Sequence, residues 1–252
     1  MTLRICTYNI HKGLSQFNRR MTIHKLREQL HALNADLVFL QEVQGMHLLN
    51  AQKFPQWPQI PQHEFLAKDF WHDAAYGRNA IYDHGHHGNA ILSRFEIVSS
   101  ENLDVSAHRF EQRGLLHCKM LIPGIPDTVH CVCVHLGLTK AGRKRQLHAL
   151  VNQIDMFTTP GTPLIIAGDF NEWRHGPIRQ LAQNLNLTEA IAPQKKHSTR
   201  SFPSNLPILA LDHIFVRGFT VENIHALSGT PWSGISDHAP LLATLQPSHD
   251  IC

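Results

Sequence analysis

Two short strings in the C-terminal half of the chain carry residue types that could do chemistry together: Gly168-Asp169-Phe170-Asn171 and Ser236-Asp237-His238. Three further segments share their character: Thr7-Tyr8-Asn9, Leu40-Gln41-Glu42 and Leu211-Asp212-His213. In each, an acid, amide or imidazole stands directly beside an apolar run of strand character. Strand ends are where a rigid scaffold can aim side chains into one shared cleft. A set this rich in oxygen donors suits a hard divalent cation such as Mg²⁺ or Mn²⁺, which prefers carboxylate and water ligands. Taken singly, each segment also reads as an ordinary turn or helix cap. The case for a site rests on all of them occurring together.

The elements that must position these residues follow from hydrophobic periodicity. Leu3 to Ile10 reads as a strand. Ile23, Leu26, Leu30 and Leu33 recur at three- and four-residue steps, which predicts a helix over about 19–33. A buried strand is expected from Asp36 to Leu40. Across 45–73, Pro55, Pro58 and Pro61 argue against a continuous element, and Phe54, Trp57 and Trp71 suggest a loop pinned by aromatics that could also touch lipid. Strands are expected near 78–82, 89–93, 97–105, 114–121, 128–136 and 164–167, then near 213–216, 221–227 and 239–245. Leu147, Leu150, Val151, Ile154 and Phe157 predict a second amphipathic helix over about 139–157, and a short one is expected near 178–185. With no repeat and no Gly/Ser-rich linker, residues 1–252 are read as a single α/β domain of two packed sheets flanked by helices. Periodicity alone leaves other α/β architectures open.

Composition narrows the function classes. Hydrophobic residues make up 42% and charged residues 17%, a globular balance rather than a disordered one. A formal charge of +3 is too small to argue for strong nonspecific nucleic-acid binding. Five cysteines, an odd number, argue against a disulfide framework and for buried reduced thiols. The start, Met1-Thr2-Leu3-Arg4, has no apolar signal region, and no apolar run is long enough to span a bilayer. A cytoplasmic monomer is expected, with peripheral membrane contact left open.

The strings Tyr8-Asn9-Ile10, Leu40-Gln41-Glu42-Val43, Gly88-Asn89-Ala90-Ile91-Leu92-Ser93-Arg94, Val134-His135-Leu136, Gly168-Asp169-Phe170-Asn171, Asp212 and Ser236-Asp237-His238 resemble the endonuclease/exonuclease/phosphatase superfamily. The resemblance spans nearly the whole chain. It implies a DNase I-like four-layer α/β/β/α sandwich of two mainly antiparallel sheets, and divalent-metal-dependent hydrolysis of phosphate esters by in-line attack of water. It further implies Glu42 as principal metal ligand, with Asn9 and Asp237 beside the metal. Asp169 would orient and deprotonate the attacking water, and Asn171 would hold it or a phosphate oxygen. His238 would contact the phosphate, with Asp212 fixing its tautomer. His135 resembles a site-lining histidine that could act as general acid, Arg113 a phosphate-contacting arginine, and Asn89 a cleft-lining amide.

Two departures narrow the branch. His11 stands where AP endonucleases usually carry an acid, and His135 where they carry a tyrosine. The chain looks more like the DNase I and neutral sphingomyelinase side, among small bacterial members. A phosphodiesterase or nuclease is the first reading. A phospholipid or inositol-phosphate hydrolase is the second, and a catalytically silent binding module on the same fold the third. Three features stand outside the pattern: His84, His86 and His87, read as part of a flexible loop rather than a metal tract; Arg143-Lys144-Arg145, read as a solvated helix face; and Trp232, read either as overhanging the site or as packing.

Overall fold

The computed structural model describes residues 1–108, 111–192 and 199–248. In chain order the elements are β1 (Leu3–Asn9), α1 (Ile23–Leu33), β2 (Leu37–His47), α2 (Leu48–Lys53), α3 (Gln62–Ala67), β3 (Asp73–Tyr82), β4 (Gly85–Ser93), β5 (Glu96–Asp104), β6 (Gly114–Leu121), β7 (Val129–His135), α4 (Lys140–Phe157), β8 (Leu164–Asp169), α5 (His175–Asn184), β9 (Thr188–Glu189), β10 (Asp212–Arg217), β11 (Phe219–Ala226) and β12 (Leu241–Pro247). They form two six-stranded sheets, ordered β11-β12-β1-β2-β4-β3 and β5-β6-β7-β8-β10-β9. Each sheet is antiparallel except for one central parallel pair, β1 with β2 and β7 with β8.

The layers follow from which strands are apolar on both faces. β1, β7 and β8 are buried almost throughout, as central strands covered on both sides must be. One face of each sheet packs against the other sheet: Ile5, Phe39 and Ala243 meet Cys131, Ile165 and Ile214 in a shared core. The outer face of the first sheet packs Cys6, Val38 and Leu40 against Ile23, Leu26 and Leu30 of α1 and Leu66 of α3. The outer face of the second packs Val132, Val134 and Ile166 against Leu147, Leu150 and Ile154 of α4 and Ile178 and Leu181 of α5. The result is the α/β/β/α sandwich. Each fully buried Leu or Ile contributes on the order of 1.5–3 kcal/mol of transfer free energy, so three such cores dominate the favourable side. The outer strand β5 (EIVSSENLD) is mostly exposed and polar, which protects that edge from pairing with another chain.

Four expectations change. The first helix begins at Ile23 rather than near residue 19, because Phe17 and Asn18 adopt left-handed backbone before it. The 45–73 segment is not one pinned loop: β2 runs on to His47, and α2 and α3 follow. Trp57 and Trp71 there are turned inward, the indole of Trp71 donating to the Ala35 carbonyl at 3.1 Å, so neither can meet a lipid surface. The histidine tract is part of a regular hairpin: His86 and His87 belong to β4, and His86 meets the Tyr76 hydroxyl at 2.9 Å. Arg143 is not solvated; it is buried and pairs with Glu172 at 3.1 Å. Trp232 packs in the core, edge-on to Tyr8 at 5.6 Å. Cys6, Cys118, Cys131 and Cys133 are free buried thiols, and Cys252 lies outside the described residues.

Candidate active site

The two parallel pairs decide where the polar strand ends go. β1 and β2 run together, so Asn9 lies beside Gln41 at their C-terminal ends. β7 and β8 run together, so His135 lies beside Asp169. Antiparallel β10 then sets Asp212 on the other flank of Asp169. β12 returns antiparallel to β1, with Leu241 opposite Thr7, so residues 236–238 arrive next to Asn9. The Ser236 hydroxyl fixes this meeting by donating to the Asn9 carbonyl at 2.7 Å. Residues 227 apart in sequence, Asn9 and Ser236, therefore share one end of the sandwich.

Asp169, only 1% exposed, is the hub. Its Oδ2 accepts from the Asn9 amide at 3.1 Å and lies 3.6 Å from His135 Nε2 and 3.8 Å from His238 Nε2. Its Oδ1 accepts from the Asn171 backbone N–H at 2.9 Å, a turn that Asn171 closes with a left-handed φ of 49°. Burial pushes the Asp169 carboxyl up, reinforced by Asp212 and opposed by His238, to about 6. His238 donates from Nδ1 to Asp212 Oδ2 at 2.8 Å, and Ser201 donates to the same oxygen at 2.5 Å. Burial alone would lower the His238 imidazole, but Asp212, Asp169 and Asp237 outweigh it and raise it to about 10. His135 goes the other way: burial, then Arg113, hold it well below the usual histidine range.

Glu42 reaches the same end by a device of its own. In the β2–β4 ladder Leu40 pairs with Ala90 and Val43 with Gly88, so Gln41 and Glu42 together oppose Asn89. This is a β-bulge, and it holds Glu42 at φ 58°, a left-handed conformation rare for a long side chain. Burial would raise its carboxyl, yet His135, Lys12, His11 and His87 draw it down to about 2. Its Oε2 lies 3.7 Å from Lys12 Nζ and, although buried, accepts no hydrogen bond from the described residues. Asp237 lies 3.5 Å from His11 Nδ1.

The sequence profile of the Endonuclease/Exonuclease/phosphatase family matches residues 6–238. The chain belongs to this family. It is 41% identical to the protein YbhP of Escherichia coli over 244 residues, which is 97% of this chain and 96% of YbhP. It is also similar in structure to the endonuclease/exonuclease/phosphatase from Beutenbergia cavernae, with a TM-score of 0.77, 18% identity, and coverage of 98% of this chain and 72% of that one. A Bacteroides thetaiotaomicron mannosyl-6-phosphatase has a TM-score of 0.73 and 17% identity, covering 97% and 99%. The two structural likenesses bear on the fold.

Within this family member the expected residues fall into three groups. Asn9, His135, Asp169, Asp212 and His238 are linked directly through Asp169 or through the His238–Asp212 pair. Glu42 and Asp237 flank them, tied to Lys12 and His11. Asn171, Arg113 and Asn89 hold the surrounding backbone. The Asn171 amide and Arg113 Nε both donate to the Leu136 carbonyl, at 2.9 and 3.2 Å. The fully buried Asn89 amide donates to Gly114 and Cys133 carbonyls of the opposite sheet, at 2.9 and 3.3 Å, leaving its Oδ1 unpartnered among the described residues.

Several contributors went unread in the sequence. Lys12 stands three residues after Asn9, and its place there was the one signal available. Ser201 sits eleven residues before Asp212 on a loop, with no pattern to mark it. Arg143 hid in a basic run: it donates to Glu172 and to the Gly137 and Leu138 carbonyls, and so braces the loops after β7 and β8.

Proposed function

We propose that the protein hydrolyses phosphate esters with the help of a divalent cation, Mg²⁺ or Mn²⁺, by in-line attack of water, and that residues 1–252 act as one catalytic unit. The observation that carries this reading is the Asp169 hub, flanked by two imidazoles, at the same end of the sandwich as an anionic Glu42 whose buried Oε2 accepts no hydrogen bond among the described residues.

The donors at Glu42 fit a hard cation. A buried carboxylate oxygen without a hydrogen bond is a costly feature unless something positive completes it. Glu42 would be the principal ligand, with Asn9 and Asp237 close by. A second grouping, Asp169, Asp212 and His238, gathers ligand atoms within 4.8 Å of one another. It suits a cation less well: Asp212 Oδ1 is buried without a hydrogen bond among the described residues, but Oδ2 takes both His238 and Ser201, and the His238 imidazolium beside it would repel an ion. When bound, the cation would act as a Lewis acid on a phosphate oxygen.

The chain's own residues account for the rest. Asp169, held by Asn9 and the Asn171 N–H, would orient a water and take its proton. Its raised carboxyl is ionised near neutral pH yet basic enough to receive that proton. His238, kept cationic by Asp212, would stabilise charge growing on the phosphate oxygens. His135, 3.6 Å from Asp169 Oδ2 and kept neutral by burial, would assist the leaving oxygen as a neutral hydrogen-bond donor. Asn171 would hold a phosphate oxygen or the water, and Arg113 would add positive charge nearby. Phosphodiesters come first because the LQEV and VHL strings resemble the DNase I side of the family, with phospholipids or inositol phosphates as the second reading. A silent binding module would be expected to lose acids from the site, and Glu42, Asp169, Asp212 and Asp237 are all present.

The test is turnover of bis(p-nitrophenyl) phosphate and p-nitrophenyl phosphate with Mg²⁺ or Mn²⁺, with and without EDTA. Activity should vanish with the chelator, and Asp169→Asn and Glu42→Gln should each lower it by at least roughly a hundredfold. Equal turnover by wild type and both variants would reject the reading.

A further inference from the structure

Beside Glu42 the cleft continues into a cavity of about 300 Å³ that the hydrolytic roles leave unused. Its walls include Lys12, His47, Tyr82, His87, Gln44 and Asn50. None of the residues lining it is acidic. Lys12 is its one formal charge, at the end nearest Glu42; the others offer ring faces, N–H and O–H donors. His47, Tyr82 and His87 form a continuous ring wall, with centroids 5.6 and 5.9 Å apart. His87 Nδ1 is buried with no hydrogen-bond partner among the described residues.

Lys12 is held there at a cost. It sits at φ 62° and follows His11 at φ 45°, two successive non-glycine residues in left-handed backbone. Such strain persists where the surroundings over-determine it and clusters at functional sites. The over-determining contact is visible. Buried Gln62 donates to the Lys12 carbonyl at 2.9 Å and accepts from the Gln44 N–H at 2.9 Å, clamping the Lys12 turn to β2 beyond the Glu42 bulge. A lysine serving only to neutralise Glu42 would not require this: a partly exposed pair is worth little, and Lys12 is 33% exposed.

We infer that Lys12 and the cavity behind it form a subsite for a second phosphate on the same small substrate, next to the ester that is cleaved. The inference rests on the hydrolase reading above, since it places the scissile phosphate at Glu42. A phosphate there would find one ammonium, several neutral donors and no lining carboxylate to repel it. Lys12 would exchange Glu42 for this phosphate once a cation satisfies the carboxylate.

The experiment compares two chromogenic diesters with the same leaving group: the p-nitrophenyl ester of thymidine 5′-phosphate, with and without a 3′-phosphate. The 3′-phosphate should lower KM at least tenfold in the wild type. Lys12→Met should erase at least tenfold of that preference, and Lys12→Arg, which keeps the charge, should retain most of it. Calorimetry on Asp169→Asn should show the same preference for thymidine 3′,5′-bisphosphate over thymidine 5′-phosphate, again abolished by adding Lys12→Met. Turnover of both esters with no preference would overturn the subsite and leave the hydrolase reading intact. Charge-dependent binding without turnover by any form would do the reverse. A Lys12→Met loss that is equal on both esters would also overturn it, because Lys12 would then serve the scissile phosphate.

Discussion

In the proposed mechanism Asp212 acts through His238. One carboxylate oxygen receives both the imidazole Nδ1 and the Ser201 hydroxyl, so the ring is fixed in orientation and its charged form favoured. Asp212→Asn should therefore lower turnover by roughly 10²–10⁴-fold and move the His238 titration down from about 10, which NMR of labelled imidazoles would read. An unmoved titration with normal turnover would refute the pairing. Asp169, Asp212 and His238 were legible from sequence because each stands at the end of an apolar run in a string typical of the family. Lys12 was not, because a lysine after a strand looks like any solvated residue. What sets it apart is a left-handed backbone angle and the hydrogen bond from Gln62, fifty residues away.

At the scale of elements, the site depends on two close approaches. Gly168 sits at φ 154°, and a Cβ added there would lie 1.9 Å from the Val134 carbonyl of the neighbouring strand. Gly168→Ala should therefore force β7 and β8 apart beneath Asp169, lowering both thermal stability and activity, as calorimetric melting and an assay would show. The second is the Arg143–Glu172 pair. Arg143→Met would leave Glu172 buried and unpaired, a change expected to cost about 3–5 kcal/mol in urea unfolding; an unchanged midpoint would show the pair to be dispensable. The long helix over Lys140–Phe157 was legible because its apolar residues keep a helical period. The 45–73 segment was not: its prolines fall between short helices rather than within one long element, so they broke the pattern without abolishing structure. The Glu42 bulge was equally invisible, since an extra residue in a strand leaves no mark in composition.

For the molecule as a whole, buried histidines should set the acid limit of stability. Burial holds His63, His117 and His130 at about 4, below the 6.5 of an ordinary histidine. Between these values the unfolded chain binds protons that the folded chain does not. Stability is therefore fully present above about 6.5 and lost as pH falls towards 4. His213 and His238, both raised, contribute with the opposite sign on the alkaline side. Urea unfolding at several pH values should show this loss, and replacing His117 and His130 together by Gln should flatten the slope; an unchanged slope would exclude the pair as its source. The sandwich itself was foreseeable because family strings run from Tyr8 to His238, while periodicity alone left several architectures possible. The account stands on one cation bound at Glu42, beside but not within the Asp169–Asp212–His238 grouping. Anomalous diffraction from a crystal soaked in Mn²⁺ tests this most directly. It should show an ion coordinated by the Glu42 carboxylate, and absent in Glu42→Gln. An ion held instead by Asp169, Asp212 and His238, or one that persists in Glu42→Gln, would contradict it.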